Sequence, residues 1–167
     1  MIEALVKAPG HHVALVVNPN SPYVIGLQDK AKELGVGERL HIHPYVPEWY
    51  VSTFISDSTS GVIPILKYPN HEISLVTKFF EFLHAKLPII VSDVKTMAAE
   101  VRIRRNGLVF TAGKGDELAA RFIEIAENRD QYVAAITPEL LAEYSWERQG
   151  DKLVAAFDTL ASMKGNQ

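Results

Sequence analysis

Five short, almost uninterrupted apolar runs recur along this chain about every 25 residues, with helix-length segments between them. They are His12–Val17 (HVALVV), Leu40–His43 (LHIH), Gly61–Leu66 (GVIPIL), Pro88–Ser92 (PIIVS) and Leu108–Phe110 (LVF). A strand wetted on one face alternates apolar and polar residues, whereas a run that is apolar throughout is covered on both faces. Parallel strands also need a crossover long enough to hold a helix. The segments near 22–34, 47–56, 75–85 and 95–104 can supply those crossovers. The pattern predicts an α/β fold, a Rossmann-like parallel sheet with helices on both faces. After Phe110 the runs stop, and residues 115–127 and 130–163 look helical, with a break near Tyr144–Ser145. The chain is therefore expected to finish as a C-terminal helical tail. Ser145 is expected to cap a helix that begins at Trp146, with Trp146, Leu153, Ala156 and Phe157 facing inward at helical spacing.

Bulk composition narrows the function. A chain of 167 residues suits one domain spanning 1–167, able to bury roughly 70% of its unfolded surface. Net charge is −3 with both signs interspersed. A nucleic-acid surface would show a basic patch, and only Arg102-Ile103-Arg104-Arg105 clusters positive charge. That run closes a helix, where cations favour the dipole, so a solvated helix end is the expectation there. The chain has no cysteine, which removes disulfides and thiolate metal sites. His41 and His43 share one strand face, but no third ligand stands at metal spacing, so no metal is expected. No apolar stretch reaches the length of a membrane span and the start lacks a signal-peptide core. The expected location is cytoplasmic, or peripheral to a membrane in a longer enzyme.

Residues 72–93 (EISLVTKFFEFLHAKLPIIVSD) carry the sharpest local signal. Drawn as a helix, Ser74, Thr77, Lys78 and Glu81 fall in one narrow stripe, and Leu75, Val76, Phe79, Phe80, Phe82 and Leu83 fill the rest. Such a helix packs on more than one side and opens only along a stripe with one cation and one carboxylate. It feeds the strand Pro88–Ser92, so the stripe is expected to face a cleft at the sheet edge. The plainer reading makes Lys78 and Glu81 an i,i+3 surface pair. The helix is expected to start near Ser74–Leu75, with Ser74 either its N-cap or a ligand contact. Met1–Lys7 (MIEALVK) reads as the last turns of a helix, as though the chain were part of something longer.

The succession of "ELGVGERLHIHPYV" (33–46), "LVTKFFEFLHAKLPIIVSDV" (75–94), "NGLVF" (106–110), "GDELAARFIEIAENRDQY" (115–132) and "YSWERQGDKLVAAF" (144–157) resembles the C-terminal domain of GT-B glycosyltransferases of the family 4 type. The resemblance runs from about Ile2 to Leu160. It implies the donor-binding half of an enzyme that moves a sugar from a nucleoside diphosphate sugar to an acceptor. Retention of anomeric configuration, independence of metal and the absence of any cofactor are implied with it. So is an N-terminal acceptor domain outside this chain, with the first C-domain strand and a glycine-containing basic loop before Met1.

The resemblance also implies roles. Glu81 matches a carboxylate that accepts from the ribose hydroxyls. Lys78, Ser74 and Leu75 lie at the helix start, where free amides and dipole would receive the diphosphate. The family often has a second glutamate eight positions before the first; here that position is Ile73, and Glu72 stands one residue earlier. Asn70, His71 and Glu72 are then the loop positions for sugar or phosphate, the alternative being a solvated loop. Pro44, Tyr45 and Val46 follow the second strand where the base would lie, Tyr45 either stacking on it or simply packing. Asn18 and Asn20 line the same rim unless they serve only their own turn. Two rivals stay open: a sugar-nucleotide epimerase half on the same framework, and a doubly wound regulatory or interaction domain without catalysis.

Overall fold

The computed structural model describes residues 1–164 and divides into two compact units, one of Met1–Ala135 and one beginning at Ile136. The first unit carries all the strands. In chain order it holds α1 (Ile2–Lys7), β1 (Val13–Val16), α2 (Pro22–Glu33), β2 (Leu40–His43), α3 (Val51–Ile55), β3 (Gly61–Ile63), α4 (Pro69–Glu72), α5 (Thr77–His84), β4 (Ile89–Ser92), α6 (Lys95–Arg104), β5 (Gly107–Phe110), α7 (Gly115–Glu127) and α8 (Arg129–Ala134). All five expected strands are present and every pairing is parallel, as the apolar runs require. β3 is shorter than its apolar run, ending at Ile63 because Pro64 has no N–H to continue the ladder.

One expectation is corrected. The strands form two hydrogen-bonded sheets, β1–β2 and β3–β4–β5, rather than one. β1 pairs only with β2, extended by Val17 N–H on the His43 carbonyl at 2.8 Å. β3 pairs only with β4, with Gly61 N–H on the Pro88 carbonyl at 2.9 Å. Both strands thus keep an edge without a partner strand among the described residues. The side chains are nonetheless continuous. Val13 of β1, Leu40 of β2, Ile90 of β4 and Phe110 of β5 share one apolar cluster, with Leu15 and Val62 packed against it.

β4 is the middle of the larger sheet, and all four of its residues are fully buried. Two glycines let neighbours approach it and β3. A Cβ on Gly107 would run into the Ile89 carbonyl, and one on Gly61 would run into the Phe82 ring. α5 sits over this region with Phe79 and Leu83 completely buried, as the sequence stripe requires. α1 packs on α7, and Ile2, Ala4 and Leu5 are buried, which fits the helical reading of Met1–Lys7.

The start of α5 is also corrected, from Ser74–Leu75 to Thr77, with extended Val76 as its N-cap residue (φ −77°, ψ 154°). Ser74 does not cap this helix. Its hydroxyl donates to the Asn70 carbonyl at 2.8 Å, a local bond that closes the α4 turn and competes with helix initiation.

The second unit holds α9 (Pro138–Glu143) and α10 (Trp146–Lys164). Thr137 accepts the Leu140 N–H at 3.3 Å, and Ser145 accepts the Arg148 N–H at 3.2 Å, so Ser145 caps α10 as its sequence position suggests. The expected inward packing of Trp146, Leu153, Ala156 and Phe157 does not occur. Trp146 is 85% exposed and Phe157 64%, and Leu153 and Ala156 are exposed too. Helical spacing aligned these side chains correctly, but alignment does not supply a surface to bury them against.

The close approach of Gly107 to β4 can be tested directly. Gly107→Ala forces the β4–β5 ladder apart, and the expected loss is about 3 kcal/mol, the upper part of the range for overpacking. A urea midpoint unchanged from that of the original chain would contradict this packing.

Candidate functional site

The loops that follow β3, β4 and β5 meet at the carboxyl ends of parallel strands, where open α/β sheets bind ligands. Side chains tie these loops together. Asp93, just beyond β4, accepts Lys67 Nζ at 2.7 Å through Oδ2 and the Ala112 N–H at 2.8 Å through Oδ1. The hydroxyl of Ser92 donates to the Ile65 carbonyl at 2.6 Å. One carboxylate therefore holds the loops after β3 and β5, and the adjacent serine secures the first of them again.

The site residues named from the sequence fall into three groups. Glu72 is already engaged: its Oε2 accepts the Lys95 N–H at 2.6 Å at the start of α6, and its carbonyl accepts the Thr96 hydroxyl at 2.7 Å. It caps a helix from a distant loop. His71 is engaged as well, with Nδ1 bonded to the Leu66 carbonyl at 2.7 Å and its ring edge-on to Tyr68. Asn70 is exposed and lends its carbonyl to Ser74.

Lys78 and Glu81 form the second group. Both lie on α5, Lys78 exposed and Glu81 half-buried, and among the described residues neither has an ion-pair partner. The i,i+3 surface pair is thus not what they form. The start of α5 has no side-chain cap, because Val76 offers no acceptor. The Phe79 N–H bonds back to the Val76 carbonyl, which leaves the Thr77 and Lys78 N–H groups at the helix end. Ser74 and Leu75 are half-buried in the loop just before it. A cation, unclaimed amides and a free carboxylate one turn further along are suited to an anionic group joined to a diol.

The third group follows β1 and β2. Tyr45 is 74% exposed and has no ring partner among the described residues; Pro44 is exposed and Val46 half-buried. Asn18 accepts the Asn20 N–H at 3.0 Å, so its side chain serves the turn. His41 stacks on His12 with a nitrogen–nitrogen contact of 2.8 Å, and His43 lies edge-on to Phe54. Among the described residues no three potential metal-ligating side chains come together.

Sequence reading missed Asp93 and its partners Lys67 and Ala112. The only signal was Asp93 immediately after a β-branched run; its partners stand 26 and 19 positions away and are brought in by the sheet alone.

Comparison with known proteins assigns the family. The profile of the family described as "Glycosyl transferases group 1" matches residues 2–128. The chain belongs to that family. Among solved structures, sucrose-phosphate synthase from Thermosynechococcus elongatus superposes with a TM-score of 0.79 at 18% identity, over 97% of this chain and 42% of its own. WaaG, a glycosyltransferase involved in lipopolysaccharide biosynthesis, superposes with a TM-score of 0.62 at 17% identity, over 81% of this chain and 35% of its own. At such identities the likeness concerns the fold. The chain spans less than half the length of either neighbour. No curated protein sequence matches it significantly. Among the described residues no helix is long and apolar enough to cross a membrane.

The Asp93 link has a pH signature. The Lys67 hydrogen bond, then the Ala112 N–H, hold the Asp93 carboxyl below its ordinary range, and the same bond raises the Lys67 ammonium above its own. A carboxyl with a lower pKa folded than unfolded adds stability that is complete above its unfolded value, near 4, and is lost as pH falls through its folded value. Asp93→Asn is therefore expected to lower the thermal midpoint by a constant amount from pH 5 to 8. The gap between the two proteins should close at more acid pH, and a gap that persists or widens there would contradict the link.

Proposed function

We propose that this chain is the donor-binding half of a two-domain glycosyltransferase that moves a sugar from a nucleoside diphosphate sugar to an acceptor. The observation that carries this reading is the unpaired Lys78 and Glu81 on α5, one turn apart beside a helix start without a side-chain cap. The Thr77 and Lys78 N–H groups, with the Lys78 ammonium, receive the diphosphate. Ser74 and Leu75 shape the approach to it. Glu81 accepts from the ribose hydroxyls, a carboxylate being able to take two neighbouring donors at once. Pro44, Tyr45 and Val46 flank the base, with exposed Tyr45 free to stack on it. Asn70 completes the loop toward the sugar, while His71 and Glu72 shape that loop from their internal bonds and contact the donor only if those bonds open.

In the transfer, the bond from the anomeric carbon to the diphosphate oxygen breaks, and an acceptor oxygen bonds to that carbon with loss of its proton. Charge gathers on the departing diphosphate, where fixed amides and the Lys78 ammonium stabilise it without a metal. The outcome proposed is retention of configuration. The base that takes the acceptor proton belongs to a second domain, in keeping with the fraction of each structural neighbour that this chain spans. The exposed stripe of Trp146, Leu153, Phe157 and Leu160 on α10 is assigned to contact with that domain.

Titration with UDP, GDP and the matching nucleosides tests the assignment. Glu81→Ala is expected to weaken nucleoside and nucleotide binding alike, by roughly 10–150-fold, the loss of hydrogen bonds to a charged acceptor. Lys78→Ala should weaken the diphosphate selectively, with an effect that shrinks as salt rises. Equal affinities across the three proteins, in a chain that does bind nucleotide, would remove both residues from the site. The chain alone is expected to bind donor yet transfer no sugar, since half of the orienting cleft lies elsewhere. Measurable transfer in a radiolabelled-donor assay would refute the two-domain assignment.

A further inference from the structure

The other end of the larger sheet holds a cationic depression that the donor reading does not use. It has a volume of about 550 Å³ and lies between the end of α6, the start of β5 and α8, lined by Val101, Arg102, Arg105, Gly107, Gln131 and Tyr132 among others. Gly107 pairs with Ile89 at the first rung of the β4–β5 ladder, and Phe110 with Ser92 at the last. Three rungs of strand, about 10 Å, separate this depression from the loops at the carboxyl edge.

Its two arginines are unusual within this unit. Arg39 donates to the Ala8 and His11 carbonyls, Arg104 to Glu100, Arg121 to Val109 and Glu124, and Arg129 to the Thr59 carbonyl. Among the described residues Arg102 and Arg105 have no acceptor. They stand three positions apart at a helix end, where like charges repel and stabilise nothing by themselves. Arg105 also occupies a left-handed backbone conformation (φ 56°, ψ 25°), a position at which helices commonly place glycine. The next residue, Asn106, is completely buried, and neither polar atom of its amide has a partner. Across the depression Tyr132 is almost entirely buried, its hydroxyl donating to Glu124 Oε1 at 3.4 Å. The dipole of the α6 C-terminus opposes an anion here with about half a charge. Two full guanidinium charges outweigh it.

We propose that Arg102 and Arg105 bind the phosphate of a small soluble phosphorylated metabolite in this depression, a second ligand site separate from the donor cleft. Guanidinium groups grip phosphate oxygens in bidentate pairs. The volume falls within the range of sites that hold small organic ligands. A chain with net charge −3 has no general affinity for anions that would mimic such a site.

Inorganic pyrophosphate is a suitable probe, followed residue by residue in amide NMR spectra of the full chain. Shifts at Gly107 and Gln131 that saturate with added pyrophosphate are expected. Arg102→Gln should weaken that saturation at least tenfold. So should Arg105→Gly, a change that the left-handed backbone favours and that therefore preserves the fold. Lys78→Ala should leave it intact while abolishing any shift at Thr77, which separates this site from the donor site. No saturable shift at Gly107 and Gln131 would overturn the proposal, as would shifts that survive both arginine variants. Binding of the chain to phosphatidylserine vesicles that is lost in the arginine variants, without pyrophosphate binding, would also overturn it and identify the depression as a headgroup contact.

Discussion

β4 is the element on which the rest of the first unit depends. Its four residues are wholly removed from water, it is hydrogen-bonded on both edges, and the backbone of β5 reaches it only because Gly107 has no side chain. At its carboxyl end the chain turns through Ser92 and Asp93, whose side chains hold the loops after β3 and β5. At its other end it adjoins the turn that carries Arg105 and Asn106, through the bond from Ile89 N–H to the Asn106 carbonyl at 3.0 Å. A rigid central strand therefore fixes the geometry of both candidate ligand regions. It does so with backbone hydrogen bonds and burial, which are insensitive to what the loops contain.

Side chains meet the starts of some helices in this structure and leave others, α5 among them, without a side-chain cap. The start of α6 is taken by Glu72, that of α9 by Thr137 and that of α10 by Ser145. α5 begins after a valine and keeps amides at its end that no side chain claims. A capping serine or threonine is worth on the order of 1 kcal/mol, and its absence beside an unpaired lysine gives up that stabilisation at the place where the proposed donor diphosphate would restore it. Glu72 and Glu81 illustrate the same distinction from the other side. Both are acids from the same short segment, yet one is spent on architecture and the other is free for a ligand.

Much of the fold was legible in the sequence. The β-branched run Ile89–Val91 announced a strand buried on both faces, whereas β5 is only half-buried over Gly107, Leu108 and Val109. The stripe on α5 announced which of its side chains pack and which do not. The start of α5 was misjudged because Ser74 found a local acceptor in Asn70, an alternative that periodicity does not register. The tail showed the complementary limit. The apolar spacing of Trp146, Leu153 and Phe157 was read correctly, but spacing records alignment along one helix and says nothing of what covers it.

What the sequence determined alone was therefore everything that depends on local period and local bonding: element types, the parallel class of the sheet, the free stripe on α5 and the Ser145 cap. Tertiary structure alone decided the pairing of Lys67 with Asp93, the capture of the Lys95 N–H by Glu72, the division of the strands into two sheets, and the gathering of Arg102, Arg105 and Tyr132 around one depression. The reason is physical. Helical and strand periods act over a few residues, whereas these contacts join positions some 20 to 50 apart in the chain, and only the assembled tertiary structure sets their distances.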